Sequence, residues 1–151
     1  MEVSHLREIL ECYLQGECQI NQGTSGMNNL TRFIDHEDKK YVLRVYQNHN
    51  DEDLVQMEQK ILRAIEGVPV PVLVPTLSGE YMVKRNDKLA VLFEYQKGEN
   101  LRLECLDQYR NYGEMIGKLS VALSKLEGEG YSPYYELDKA YPNHNIQTFC
   151  Q

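Results

Sequence analysis

The sequence predicts an α+β protein: a five-stranded antiparallel sheet with one packed helix, an N-terminal helix ahead of it and a C-terminal helix behind it. Two observations carry this. Strand-like runs punctuated by turn residues occupy 18–20, 30–34, 41–46, 81–84 and 89–95, and between the third and fourth of them the apolar period changes from two to about 3.6 over residues 51–67.

Each element has a local cause. Ser4 is placed to cap a first helix whose apolar residues Leu6, Ile9, Leu10, Tyr13 and Leu14 recur at three and four, with Gly16 closing it. Residues 35–39 form a turn between the second and third strands. Residues 22–29 join the first two strands, and their two glycines and small polar residues suit a backbone with exposed amides. Asn50 or Asp51 caps the middle helix, the acidic run Asp51-Glu52-Asp53 faces the positive end of its dipole, and Gly67 ends it. Residues 68–75 are extended, because each proline fixes its own φ and disfavours helix in the residue before it. The turn Arg85-Asn86-Asp87-Lys88 makes a hairpin of the last two strands, the second of which is apolar on both faces and so reads as internal to the sheet. A last helix, capped near Asp107, carries Tyr109, Tyr112, Ile116, Leu119, Leu123 and Leu126 on one stripe, with Gly113 and Gly117 on its other side permitting close packing. Beyond Gly128 the chain is tyrosine-rich, polar and aperiodic, a linker or a wrapped arm.

Composition narrows the class. The 151 residues are 42% hydrophobic and 26% charged, which suits one soluble domain with a modest core. The 16 Lys and Arg are scattered under a net charge of −7, which argues against nucleic acid as a partner. The longest apolar runs are far too short for a membrane span, and charges at Glu2, Arg7 and Glu8 replace the apolar stretch of a signal peptide, so the expected location is the cytoplasm. Cys12, Cys18, Cys105 and Cys150 contain no CxxC and read as reduced structural thiols. His5, His36, His49 and His144 form no ligand pair and are assigned to solvent or loops, so no metal site is expected.

One charged pair stands out. Glu58 lies inside the apolar stripe of its helix, among Leu54, Met57, Ile61, Leu62 and Ile65. A carboxylate taken from water alone is costly, so the position predicts a cation brought to it by the fold, and Arg44 in the third strand is the natural candidate.

Taken in order, Ser25-Gly26-Met27-Asn28-Asn29, Tyr41-Val42-Leu43-Arg44-Val45, Glu58, Val68-Pro69-Val70-Pro71-Val72 and Leu92-Phe93-Glu94-Tyr95-Gln96-Lys97-Gly98-Glu99 resemble the small, nucleotide-binding lobe of the aminoglycoside phosphotransferase and choline kinase family of ATP-dependent small-molecule kinases. The resemblance covers roughly residues 17–126. It implies a protein-kinase-like N-lobe over residues 1–99, a helix at 100–127 that begins the large lobe, and an irregular tail at 128–151. It also implies site roles: backbone amides of Ser25, Gly26, Met27 and Asn28 over the phosphates, Arg44 on the α and β phosphates with Glu58 holding it, and backbone groups of Glu94, Tyr95 and Gln96 on the adenine edge. Arg44 stands where kinases usually have lysine, although members of this family carry either, and Ser120 follows Leu119 where relatives often place histidine.

Phosphoryl transfer in this family also needs an HxDxxxxN segment and a later metal-binding Asp. The sequence contains no such segment. Asp138 and Asn143 have the right spacing, but Glu136 replaces the histidine and no acidic residue follows Asp138. No catalytic residue is therefore assigned. The implied function is the ATP-binding lobe of a small-molecule hydroxyl phosphotransferase, cut before its catalytic loop and inactive alone, binding ATP weakly and Mg²⁺ only with a complete large lobe. The alternative from another class is a non-catalytic interaction or regulatory module, self-associating as a homo-oligomer through the surface that the large lobe would cover. The acceptor substrate is chosen by the large lobe and is left open.

Overall fold

The computed structural model describes residues 2–23, 29–47, 51–98 and 102–126. Its elements are α1 (Val3–Leu10), β1 (Gln19–Gln22), β2 (Asn29–His36), β3 (Lys39–Tyr46), α2 (Glu52–Ala64), β4 (Val83–Arg85), β5 (Lys88–Glu94) and α3 (Leu106–Ser124). The strands form a single antiparallel sheet in the order β1-β2-β3-β5-β4. The predicted sheet is therefore present, and β5 is internal, with all five residues from Leu89 to Phe93 buried.

Period-two alternation sends successive β3 residues to opposite faces. Leu43 and Val45 join Leu30, Ile34, Ala90 and Leu92 on one face, where α1 supplies Leu6, Ile9 and Leu10 and the following turn adds Tyr13 and Leu14. The Tyr13 hydroxyl donates to the Ala90 carbonyl at 2.9 Å, so this phenol is satisfied inside the core. On the other face Tyr46, Leu89, Val91 and Phe93 meet Val55 of α2 and Leu73 of the proline-rich segment. That segment is extended as expected. It bridges to Phe93 through Leu73, with N–H donors from Val74 to the Leu92 carbonyl and from Glu94 to the Val72 carbonyl, both at 2.9 Å.

Turn chemistry follows the sequence closely. Asn86 and Asp87 both take positive φ (49° and 56°), the backbone of a two-residue hairpin loop that these side chains tolerate. Asp51 caps α2, its Oδ1 accepting the Leu54 N–H at 3.1 Å.

Several expectations are corrected. Ser4 lies inside α1, because the helix starts at Val3 with Glu2 at its cap position and no side-chain cap bond. The α1 helix gives way to turns after Leu10, although Tyr13 and Leu14 keep N–H bonds to the Leu10 carbonyl and remain in the core. Leu54 does not join the buried stripe of α2: it is 40% exposed, and the buried residues are Val55 and Gln59. The helix is turned toward Val55 because Tyr46 and Leu73 supply the apolar surface there, which moves Glu58 from the centre of the stripe to its edge. Two histidines are not in solvent or loops. His5 is in α1, and His36 ends β2 half-buried with Nε2 2.7 Å from the Gln15 carbonyl. His49, His144 and Cys150 lie outside the described residues, while Cys12, Cys18 and Cys105 are free thiols. Among the described residues no helix is long and apolar enough to cross a membrane.

Candidate active site

The face of the sheet that holds α2 also brings Arg44 and Glu58 together. Arg44 pairs across the sheet with Thr31 and Val91, and one step along the strand Val42 pairs with Phe33 and Phe93. Arg44 projects toward α2, where its Nη1 donates to Glu58 Oε1 at 2.7 Å. The predicted meeting of strand cation and helix carboxylate is present. Both side chains keep about a third of their surface in solvent (33% and 38%), so the pair sits on a rim and contributes little to stability, about 1 kcal/mol or less. Rim placement has a chemical consequence: the guanidinium fork can be reached by an anion that comes to this face.

Two further groups hold the pair. The Tyr46 hydroxyl donates to the other carboxylate oxygen, Glu58 Oε2, at 2.6 Å. Burial, followed by this bond to Glu58, holds the Tyr46 phenol well above its ordinary pKa, so it remains a donor through the physiological range. The Phe93 ring lies under the guanidinium, with Arg44 Cζ 5.0 Å from the ring centroid. Neither residue was singled out from sequence. Tyr46 was legible in principle, since a residue two beyond Arg44 on a strand must share its face.

Glu58 is positioned because α2 is fastened to the β4 side of the sheet. Glu52 accepts from Lys84 Nζ at 2.6 Å, the buried Gln59 donates to the Tyr81 carbonyl at 3.4 Å, and Arg63 stacks over the Tyr81 ring at 4.6 Å. These contacts span most of the helix and set its rotation.

On the same face as Arg44, toward the opposite end of β3, lies a cavity of about 280 Å³ lined by Asn21, Phe33, Asp35, Lys40 and Tyr95. Phe33 and Tyr95 meet edge to face, with centroids 5.8 Å apart. Asn21 donates to Asp35 at 2.7 Å and Lys40 lies 3.4 Å from the same carboxylate. Tyr95 and its neighbours Glu94 and Gln96 form the strand exit beside this cavity. The Glu94 and Tyr95 N–H groups donate to the Val72 and Lys40 carbonyls at 2.9 and 3.0 Å, and Gln96 Nε2 donates to the Val70 carbonyl at 2.8 Å. The segment is thereby tied down, and any backbone N–H offered to a ligand here comes from Gln96 or beyond.

Ser25, Gly26, Met27 and Asn28 lie outside the described residues. Their described flanks are informative. A Cβ placed on Gly23 would come within 2.6 Å of the Thr31 carbonyl oxygen, so the backbone at Gly23 runs against β2 more closely than any side chain allows. At the other flank Asn29 pairs with Tyr46, and its Oδ1 is buried with no hydrogen bond among the described residues. Gly23→Ala is expected to destabilise the protein by about 1–3 kcal/mol through this overlap, seen as a lower urea midpoint at unchanged slope.

The chain matches the model of the phosphotransferase enzyme family, of the aminoglycoside phosphotransferase type, over residues 19–146. It belongs to that family. A homoserine kinase of Methylobacillus glycogenes is 26% identical over 124 residues, 81% of this chain and 39% of the relative. Among solved structures, a microcompartment-associated aminopropanol kinase superposes with a TM-score of 0.64 at 22% identity, over 80% of this chain and 40% of that one. Spectinomycin phosphotransferase in complex with ADP and spectinomycin gives 0.54 at 17% identity, over 95% of this chain and 47% of that one. These structural likenesses support a kinase-like N-lobe as the fold. The phosphotransferase-family chain described here spans less than half the length of these relatives.

Proposed function

We propose that this chain is the ATP-binding lobe of a phosphotransferase acting on a small-molecule hydroxyl group. The observation that carries this reading is the 2.7 Å Arg44–Glu58 contact, presented on the cavity-bearing face of a kinase-like sheet within a family member. In this reading the base enters the cavity beside Phe33 and Tyr95. Its edge is bonded by backbone groups of Glu94, Tyr95 and Gln96, with Gln96 the first able to supply an N–H. The phosphates extend along β3 to Arg44, which Glu58 holds in place, and the amides of Ser25, Gly26, Met27 and Asn28 close over them. Residues 1–99 form this lobe and 100–127 the first helix of a second lobe, followed by the 128–151 tail. The location is the cytoplasm.

The chain alone is proposed to be inert in transfer, since its sequence contains no HxDxxxxN segment. Mg²⁺ would be held chiefly by carboxylates of a complete large lobe, so nucleotide binding by this chain is weak. Calorimetric titration with ATP and magnesium is expected to give saturable binding in the millimolar range. No heat at millimolar ATP overturns the reading, and phosphoryl transfer by the chain itself overturns its inert part.

A second reading is favoured by α3, in which no residue is buried: Tyr109, Tyr112, Ile116 and Leu123 are each more than 40% exposed. Such a stripe suits a regulatory module that self-associates through the face where a large lobe would pack. Light scattering separates the two, a clean monomer at high concentration counting against self-association.

A further inference from the structure

We infer that Tyr46 is a positioning residue for the phosphate-contacting arginine, acting through Glu58. This rests on the ATP-binding reading above and adds a residue to it. The Glu58 carboxylate is shared: Oε1 accepts from Arg44 Nη1 at 2.7 Å and Oε2 accepts from the Tyr46 hydroxyl at 2.6 Å. Tyr46 is two residues beyond Arg44 on β3, so one strand grips one helix residue at two points, and neither carboxylate oxygen can rotate without breaking a short, charge-assisted bond.

The sharing matters because of what the carboxylate would otherwise do. An arginine and a free carboxylate favour a two-point fork contact, which would draw both ends of the guanidinium onto Glu58 and away from a ligand. With Oε2 occupied by the phenol, Glu58 takes Arg44 through one nitrogen of a five-donor group. A third of the arginine side chain meets solvent at the rim, where donors that Glu58 does not take can be reached. Tyr46 suits the role. It is only 3% exposed, it belongs to the buried cluster that includes Val55, Leu89 and Val91, and its raised pKa keeps the proton on the oxygen. Phe93 completes the support from below as the ring under Arg44.

The test uses the full 151-residue chain and compares ADP with adenosine, which lacks the phosphates. Tyr46→Phe is expected to weaken ADP binding about tenfold and leave adenosine binding unchanged, the size of one hydrogen bond to a charged group transmitted through Glu58. In a Glu58→Ala background the same substitution is expected to have no further effect on ADP, because the residue through which it acts is gone. As a second measurement that keeps the hydroxyl in place, 3-fluorotyrosine at position 46 is expected to show a ¹⁹F shift on adding ADP and none on adding adenosine. Equal loss of ADP and adenosine binding, additive effects of the two substitutions, or a fluorine signal that answers both ligands alike would reduce Tyr46 to a core residue and overturn the inference. Normal ADP binding by Tyr46→Phe overturns it while leaving the ATP-binding reading intact. Absence of binding by the unaltered chain overturns the reading itself and the inference with it.

Discussion

Replacing Arg44 with alanine is expected to lower nucleotide affinity by about 3 kcal/mol, roughly a hundredfold, while the fold survives. The binding loss is large because the guanidinium stands on the cavity-bearing face toward the Tyr46 end of β3, and its contact with phosphate oxygens would be charge-assisted. The cost to stability is small for the opposite reason. Arg44 and Glu58 are each about one third exposed, so the carboxylate left behind keeps water as well as the Tyr46 hydroxyl. Arg44→Lys is expected to recover part of the affinity, since it restores the charge without the planar fork. Calorimetric titration with ADP, beside a thermal unfolding curve for each variant, reads both effects.

The neighbouring residue should behave the other way. Leu43 points to the opposite face, is fully buried, and pairs with Leu92 across β5 in the cluster that α1 covers. Leu43→Ala removes most of a core side chain and leaves a cavity, at a cost of about 3 kcal/mol. Domains of this size have only about 5–15 kcal/mol of stability, so the variant should lose a large share of it. The urea midpoint is expected to fall with an unchanged slope, while the protein that stays folded binds ADP as before. Two adjacent residues with reversed consequences would follow directly from the alternation of β3.

How much of this was legible in the sequence depends on the range of the interaction involved. Most local signals succeeded: the Asn86-Asp87 turn, the Asp51 cap and the uniformly apolar β5 each depend on a few neighbouring residues and took the expected form, whereas the Ser4 cap did not form. The Arg44–Glu58 pair was legible because the wheel set Glu58 inside an apolar stripe, where a carboxylate calls for a cation, and the cation is present although Glu58 stands at the edge of the stripe. What the helical wheel could not supply was the rotation of α2. That depends on Tyr46 and Leu73 from other elements and on the ties from Glu52, Gln59 and Arg63 to residues 81–84, which together leave Leu54 outside and set Glu58 at the rim. Periodicity reports which residues are apolar, whereas burial is decided by whichever surface the fold brings opposite. Gly23 escaped for a similar reason. Its need for the missing Cβ arises from the Thr31 carbonyl on the next strand, and nothing within the loop's own sequence separates it from Gly26.

The central claim, that the Arg44 face of this sheet receives a nucleotide, is tested most directly by mapping amide chemical shifts of the isotope-labelled chain as ADP is added. The predicted result is a contiguous set of changes on Asn21, Phe33, Arg44, Glu58, Tyr95 and Gln96, with the α1 face around Leu6, Ile9 and Leu43 undisturbed. Shifts gathered on the α1 face, or none at millimolar ADP, would contradict it.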